Sequence, residues 1–199
     1  MTLGKGEENH MDQKWLMIGG AVAIVLVLGL WVMGVYNGEV VRNVQADGAW
    51  ANVETEYQKR FDLVPQLINV VTGAASFEQE TLTELSALRT QLQSQSNVND
   101  QIETANQFES KLSKILVLAE NYPVLQANEQ FQTLQIQLEG IENRISVERK
   151  RYNDAAGEYN TYVRLFPNSM LLGPKTPKPF FEAAAGSDVA PVVPTDFTN

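Results

Sequence analysis

The chain contains no cysteine and a single histidine, His10, which stands in the N-terminal tail. The first absence excludes a disulfide framework, a thiolate metal site and a cysteine nucleophile. The second removes Ser-His-Asp chemistry, histidine-based zinc sites and Glu-x-x-His di-iron motifs from the body of the protein. No Gly-rich loop of the phosphate-cradling or dinucleotide kind occurs, so a nucleotide cleft is not expected either. Proline is nearly missing where it would break helices: between Asn37 and Asn121 only Pro65 occurs. Carboxylates are plentiful, but paired carboxylates on helices are far more often a solvated face than acid/base machinery. The expectation is therefore a chain with no catalytic residue, no metal site and no cofactor, and not an enzyme.

Charge is absent from one long run, Trp15 to Tyr36 (WLMIGGAVAIVLVLGLWVMGVY). At roughly 1.5 Å per residue this run spans about 33 Å, the hydrocarbon thickness of a bilayer, and predicts a single transmembrane helix. Trp15, Trp31 and Tyr36 lie near its ends, where amphipathic rings settle among headgroups, and Gly19 with Ala23 forms a small-xxx-small pair suited to close helix approach. Lys5 and Lys14 precede the run and Arg42 follows it, a balance that favours an extracytoplasmic body over a cytoplasmic one. Met1 and Met11 are alternative starts. From Asn37 onward the chain carries 13 Lys and Arg against 21 Asp and Glu, a net charge of −8. An acidic body argues against nucleic acid as a partner and against flat adsorption to anionic lipid.

Past the membrane run the apolar residues keep a 3-4 stride, the mark of helices rather than strands. The seam of the first long helix reads Tyr36, Val40, Asn43, Asp47, Trp50, Glu54, Tyr57, Phe61, Val64, Ile68, Val71 and Ala75. Pro65 should kink this helix or restart it with Asp62 as cap. Ser76 with Gln79 forms a capping box for a second helix, Asp100 caps a third that stops at Asn121-Tyr122-Pro123, and a fourth runs from about Val124 to Phe166. Its seam holds Phe131, Leu134, Leu138, Ile141, Ile145, Glu148, Tyr152, Ala155, Tyr159, Tyr162 and Phe166. The fold expected is all-α: a transmembrane helix (15–36) after a short tail (1–14), an up-down-up-down antiparallel four-helix bundle with unequal arms (37–166), and a C-terminal loop and disordered tail (167–199).

Unequal arms have a consequence. The second and third helices, about 30 Å long, cover only the distal half of a pair about 60 Å long. A two-helix stalk near the membrane would then expose Trp50, Tyr57, Tyr152, Tyr159 and Tyr162, which makes these rings the expected oligomer interface. Tyr152-Asn153 and Tyr159-Asn160 stand one heptad apart and read either as core rings with flanking asparagines or as a ligand-binding face. Asn43, Asp47, Glu54 and Glu148 form a polar seam with Arg144, Arg149 and Arg151 as cross-helix partners, serving either a wet junction or register and oligomer selection. Phe180-Phe181, flanked by Lys175 and Lys178, should either dip into the headgroups or pack on the stalk.

The strings YNGEVVRNVQADGAW from Tyr36, KRFDLVPQL from Lys59, AENYPVLQANEQFQTLQ from Ala119, ENRISVERKRYNDAAGEYN from Glu142 and FFE from Phe180 resemble the LemA family. The resemblance implies a bacterial single-pass membrane protein with a long helical bundle and brings no catalytic residues with it. It also implies an association with membrane organisation, including membrane compartments of magnetosome-forming bacteria. The function expected is a non-enzymatic scaffold, anchored in the bilayer of a bacterial cell membrane, that self-associates and organises a membrane or envelope complex with a protein partner of unknown identity. The alternative is a ligand- or stress-sensing helical module.

Overall fold

The computed structural model of the protein describes residues 5–74, 79–119 and 121–182, with side chains from Lys14 onward except at 73, 74, 79, 81 and 118. The order of elements is α1 (Lys5–Ala74), α2 (Gln79–Ser94), α3 (Val98–Ala119), α4 (Pro123–Gln126), α5 (Glu129–Arg164) and α6 (Asn168–Leu172). Among the described residues there is no strand, so the all-α expectation holds. The chain divides into two compact units, one of Met1–Ala49 with Asp154–Lys178 and one of Trp50–Asn153 with Pro179–Asn199.

In the first unit, α1 is long and apolar enough to cross a membrane. Its uncharged run is exposed almost throughout: Trp15, Leu16, Val25, Leu26 and Leu30 are each more than 60% accessible. Water penalises that much bare apolar surface, and lipid does not. The helix does not stop at Tyr36 but continues as one element. From Val35 onward the first unit has a closed interior, in which Val35, Ala46, Ala156, Tyr159 and Val163 are buried. Gly38 is needed for close approach, since a Cβ there would run into the Tyr162 ring, whose Cζ lies at 2.8 Å. The Tyr162 hydroxyl donates to the Val35 carbonyl at 3.0 Å, and the Arg42 guanidinium sits 4.1 Å from the same ring. Tyr36 donates to the carbonyl of Leu171 in α6 at 3.0 Å.

In the second unit, partner numbers give the directions of the helices. Pairs Trp50–Tyr152, Tyr57–Arg149 and Arg60–Glu142 fall as α1 advances, so α5 runs antiparallel to it. Pairs Glu54–Gln101 and Phe61–Phe108 rise together, so α3 runs parallel to α1. Gln58–Gln93 and Asp62–Arg89 make α2 antiparallel to α1. The result is an up-down-up-down order. Its core is apolar and tightly closed: Val53, Tyr57, Phe61, Val64, Leu67, Leu85, Phe108, Leu112, Ile115, Leu125 and Ile145 are each at most 2% accessible. Burying one such side chain contributes about 2 kcal/mol.

Several boundaries differ from the sequence reading. Pro65 lies inside α1, which neither stops nor restarts there, and Asp62 caps nothing: it accepts from Gln58 at 2.9 Å and faces Arg89. The reason is position. Pro65 points to solvent while Phe61, Val64, Leu67 and Val71 around it are buried, so packing holds the helix through the missing hydrogen bond at the Phe61 carbonyl. Pro65→Ala is therefore expected to raise stability by about 2 kcal/mol, less whatever the proline saves by restricting the unfolded chain. A lower denaturant midpoint in the variant would mean that α1 needs the proline's bend to pack.

Asn97, not Asp100, caps α3, with its side-chain oxygen accepting from the Asn99 N–H at 2.9 Å. The fourth helix does not start at Val124. After the single turn of α4, the Asn128 side chain accepts from the N–H groups of Gln130 and Phe131 at 2.9 and 3.1 Å and opens α5. That helix ends at Arg164, before the expected Phe166, and Pro167 leads into the short α6 where a loop was expected. The capping box at Ser76, the seam position Ala75 and the tail after Glu182 lie outside the described residues.

Candidate functional site

In the second unit, charged side chains from α1, α3 and α5 meet in a partly buried network. The Arg60 side chain is only 5% accessible and pairs with Glu142 at 2.6 Å and Glu109 at 3.9 Å, while its Nε has no partner among the described residues. Arg149 pairs with Glu109 at 2.5 Å and donates to the Tyr57 hydroxyl. Glu56 receives Lys59 at 2.5 Å and Arg144 at 3.1 Å. Glu109 and Glu142 both face Arg60, so each carboxyl senses the other's charge. Burial raises the Glu142 carboxyl above its ordinary value despite the Arg60 charge, with Glu109 adding to the rise. Burial acts upward on Glu109 too, but Arg149 beside it holds that carboxyl below its ordinary value. Burial pushes the Tyr57 phenol up to about 12, so it stays neutral. Arg60, Glu109 and Glu142 line a cavity of about 520 Å³ together with Ser113, Gln135 and Leu138.

Beside this network the second unit holds a socket for Phe181. The ring stacks on Trp50 at 5.6 Å, meets Tyr152 edge-on at 5.9 Å and lies 4.9 Å from the Arg149 guanidinium. Asn153 closes the socket through the backbone: its amide donates to the Phe181 carbonyl at 2.9 Å, and its oxygen accepts the Phe181 N–H at 2.9 Å. A primary amide presents an N–H donor and a carbonyl acceptor side by side and so complements both polar groups of a residue in extended chain. Phe181 is 8% accessible. Its burial and the aromatic geometry together contribute about 3 kcal/mol.

The first unit has a counterpart. Asn160 donates to the Lys178 carbonyl at 2.8 Å and accepts the Lys178 N–H at 2.7 Å. The Lys178 ammonium pairs with Asp47 at 2.6 Å and lies 5.2 Å from the Tyr159 ring, whose hydroxyl faces Glu39 at 3.5 Å. Glu39 also receives Lys175 at 3.3 Å.

These contacts relocate the residues that the sequence singled out. Trp50, Tyr57, Tyr152 and Tyr159 are all 8% accessible or less and Tyr162 is half-buried, so the expected bare aromatic seam does not exist on this chain. The rings are covered by the protein's own C-terminal segment and by neighbouring helices of each unit. Asp47 and Glu54 are exposed and Asn43 only half-buried, so the polar seam is a flank. The buried line of α1 is instead Ala46, Trp50, Val53, Tyr57, Val64, Leu67 and Val71. Nor do the arginines serve Asp47 and Glu54: Arg144 takes Glu56, Arg149 takes Glu109, and Arg151 takes Glu148 at 2.5 Å. Glu54 receives Gln101 at 2.9 Å and Asn43 donates to Asp47 at 3.0 Å. The residues missed were Glu56, Arg60, Glu109 and Glu142, which read as solvated charge. The signal available was that Arg60 and Glu56 fall on the apolar line of α1.

The family model described as the LemA family matches residues 49–197, about three quarters of the chain. The chain belongs to the LemA family. The chain is also similar to magnetosome proteins MamQ 2 and MamQ 1 of Paramagnetospirillum magneticum, each 23% identical over 200 residues, spanning 86% of this chain and 73% of the relative. Magnetosome protein MamQ of Magnetospirillum gryphiswaldense is 22% identical over 180 residues, spanning 76% of this chain and 66% of that protein. Membership of the LemA family, together with the long exposed apolar helix, supports a membrane-associated helical protein.

Proposed function

We propose that this LemA-family chain is a non-enzymatic scaffold, held in a bacterial cell membrane by α1, whose body self-associates and organises a membrane or envelope complex. The observation that carries the reading is the contrast within α1. Its N-terminal run leaves Leu26 62% accessible and Leu30 70% accessible, whereas the same helix further on closes Val53, Tyr57, Phe61 and Val71 to at most 1%. A helix bare at one end and fully packed at the other suits a partition between lipid and protein core. The Glu109 and Glu142 carboxyls face Arg60 and Arg149 in matched pairs, an arrangement suited to fixing three helices in register. A body on the extracytoplasmic side is the orientation favoured by the lysines before the run. The magnetosome relatives make a role at a membrane compartment a natural specialisation of such a scaffold.

Sedimentation of the full chain in mild detergent tests the central claim. A species larger than the monomer at micromolar concentration is expected, and a monomer throughout that range would remove self-association from the reading. A protease added to intact and to opened cells reports the side on which the body lies. A second reading, a sensing module, draws on the Glu109 and Glu142 carboxyls that line the cavity. It predicts that Glu142→Gln, which fixes the neutral form, removes any change in the assembly state seen by sedimentation as pH falls toward the carboxylate range.

A further inference from the structure

The uncharged run of α1 ends at Tyr36, yet it is not bare to its end: Val32 is half-buried and Val35 is buried, one turn apart on one side of the helix. The last turns of α5 run along this stretch. Tyr159 faces Glu39 and Tyr162 donates to the Val35 carbonyl, so each turn gained along α5 is a turn given up along α1. From Tyr162 the helix continues to Arg164, which at roughly 1.5 Å per residue is about 3 Å further toward the middle of the run. The corner into α6 starts there, and its far end is held by Tyr36, the last residue of the run, through the Leu171 carbonyl. Leu165 to Leu172 therefore stand level with helix surface that suits lipid. Their own outward surface is apolar too, with Leu165 56%, Phe166 81% and Met170 78% accessible. Charge agrees with this placement. Although the body is acidic, no Asp or Glu occurs from residue 159 to residue 181, whereas Arg164, Lys175 and Lys178 do. Lys175 and Lys178 are taken by Glu39 and Asp47, and Arg164 is exposed in the last turn of α5. The corner thus meets an anionic surface without local repulsion, and an arginine at that depth can lay its stem on apolar surface with its guanidinium among headgroups.

We propose that the corner from Leu165 to Leu172 is a second membrane contact, seated in the boundary between headgroups and acyl chains of the leaflet where α1 leaves the bilayer. The proposal rests on the reading of α1 as the anchor and goes beyond it. The first unit is held against the bilayer at two points, a spanning helix and a shallow apolar corner, and so keeps one tilt instead of swivelling on a single helix. The return to the membrane also moves along the chain: Phe181 is enclosed in its socket, and Phe166 with Met170 supplies the apolar surface that meets lipid.

Because the chain has no cysteine, single cysteines report position directly. Full-length chains carrying Leu26→Cys, Val44→Cys, Phe166→Cys or Met170→Cys are each labelled with an environment-sensitive fluorophore and reconstituted into vesicles of equal parts phosphatidylcholine and phosphatidylglycerol. All four positions are exposed, so the label disturbs no packing. The quenchers are lipids brominated close to the headgroup, lipids brominated deep in the chain, and aqueous iodide. The labels on Phe166→Cys and Met170→Cys are expected to be quenched at least twofold more strongly by shallow than by deep bromine, that on Leu26→Cys by deep bromine, and that on Val44→Cys by iodide alone. Corner labels that behave as the Val44→Cys label does overturn the second contact while leaving α1 in the bilayer. A Leu26→Cys label reached by iodide and not by bromine overturns the anchor and the corner with it. A check free of the dye is the rate at which a charged maleimide modifies the unlabelled cysteines, expected to be at least tenfold slower for Phe166→Cys than for Val44→Cys. Equal rates overturn the corner.

Discussion

Arg149→Ala is expected to destabilise the protein by about 3 kcal/mol, the largest loss among single substitutions outside the apolar core. Three interactions disappear together: the 2.5 Å pair with Glu109, the hydrogen bond to Tyr57 and the cation placed over the Phe181 ring. Breaking a fully buried ion pair costs about 3–5 kcal/mol. Both partners here keep about a fifth to a quarter of their side chains in water, which lowers the electrostatic share, and the lost packing of the long Arg stem restores part of it. The effect should depend on pH. Glu109 is held below its ordinary value of 4.5, so the stability it contributes is fully present above pH 4.5 and is lost as pH falls through its folded value. Glu142 is raised and acts in the opposite sense, its neutral form being favoured in the folded state as pH falls. Guanidinium titrations in detergent, followed by circular dichroism, should thus show the gap between wild type and Arg149→Ala narrowing from pH 6 to pH 3. A gap that stays constant would mean the arginine acts through packing alone.

Placing two arginines in the bare part of α1, Val25→Arg with Leu26→Arg, is expected to abolish membrane integration. Each guanidinium near the middle of a spanning helix costs about 3 kcal/mol on insertion scales, so the pair costs about 6. Both residues are exposed, and the helices of the second unit should keep their circular dichroism. Alkaline carbonate extraction of membranes reads the result directly: wild type stays in the pellet and the variant moves to the supernatant. Retention of the variant in the pellet would show that another part of the chain supplies the anchor.

Much of the architecture was legible because it depends on local spacing. The uncharged run gave the bare helix, and the 3-4 stride gave helices at α2, α3 and α5 in the right order. The seam of the fourth helix from Phe131 to Ile145 matches the buried line of α5. Capping was less legible. Asn97 and Asn128 won over Asp100 and over an uncapped start at Val124 because each needs only an oxygen near two free N–H groups, and several residues in those turns could supply one. Pro65 read as a break, since a sequence shows the lost hydrogen bond but not the buried neighbours that outweigh it.

The site was hidden for a different reason. Asn43, Asp47 and Glu54 share a stride with Trp50 and Tyr57, yet over so long a helix a shift of one position moves the buried line to Ala46 and Val53. Charge pairing is longer-range still: Arg60 finds Glu142 across 82 positions and Arg149 finds Tyr57 across 92. No local pattern specifies such partners.

The sequence by itself determined the class of the molecule: helical, carrying a run suited to lipid, with no cysteine and with its single histidine, His10, confined to the N-terminal tail. It did so because hydrophobic periodicity and composition act residue by residue. Only the tertiary structure decided that the aromatic rings are covered rather than bare, and that Phe181 is what covers Trp50 and Tyr152. It also decided which arginine meets which carboxylate. Those outcomes depend on where an extended segment and three separate helices meet in space, and two hydrogen bonds from one asparagine side chain suffice to fix the meeting point.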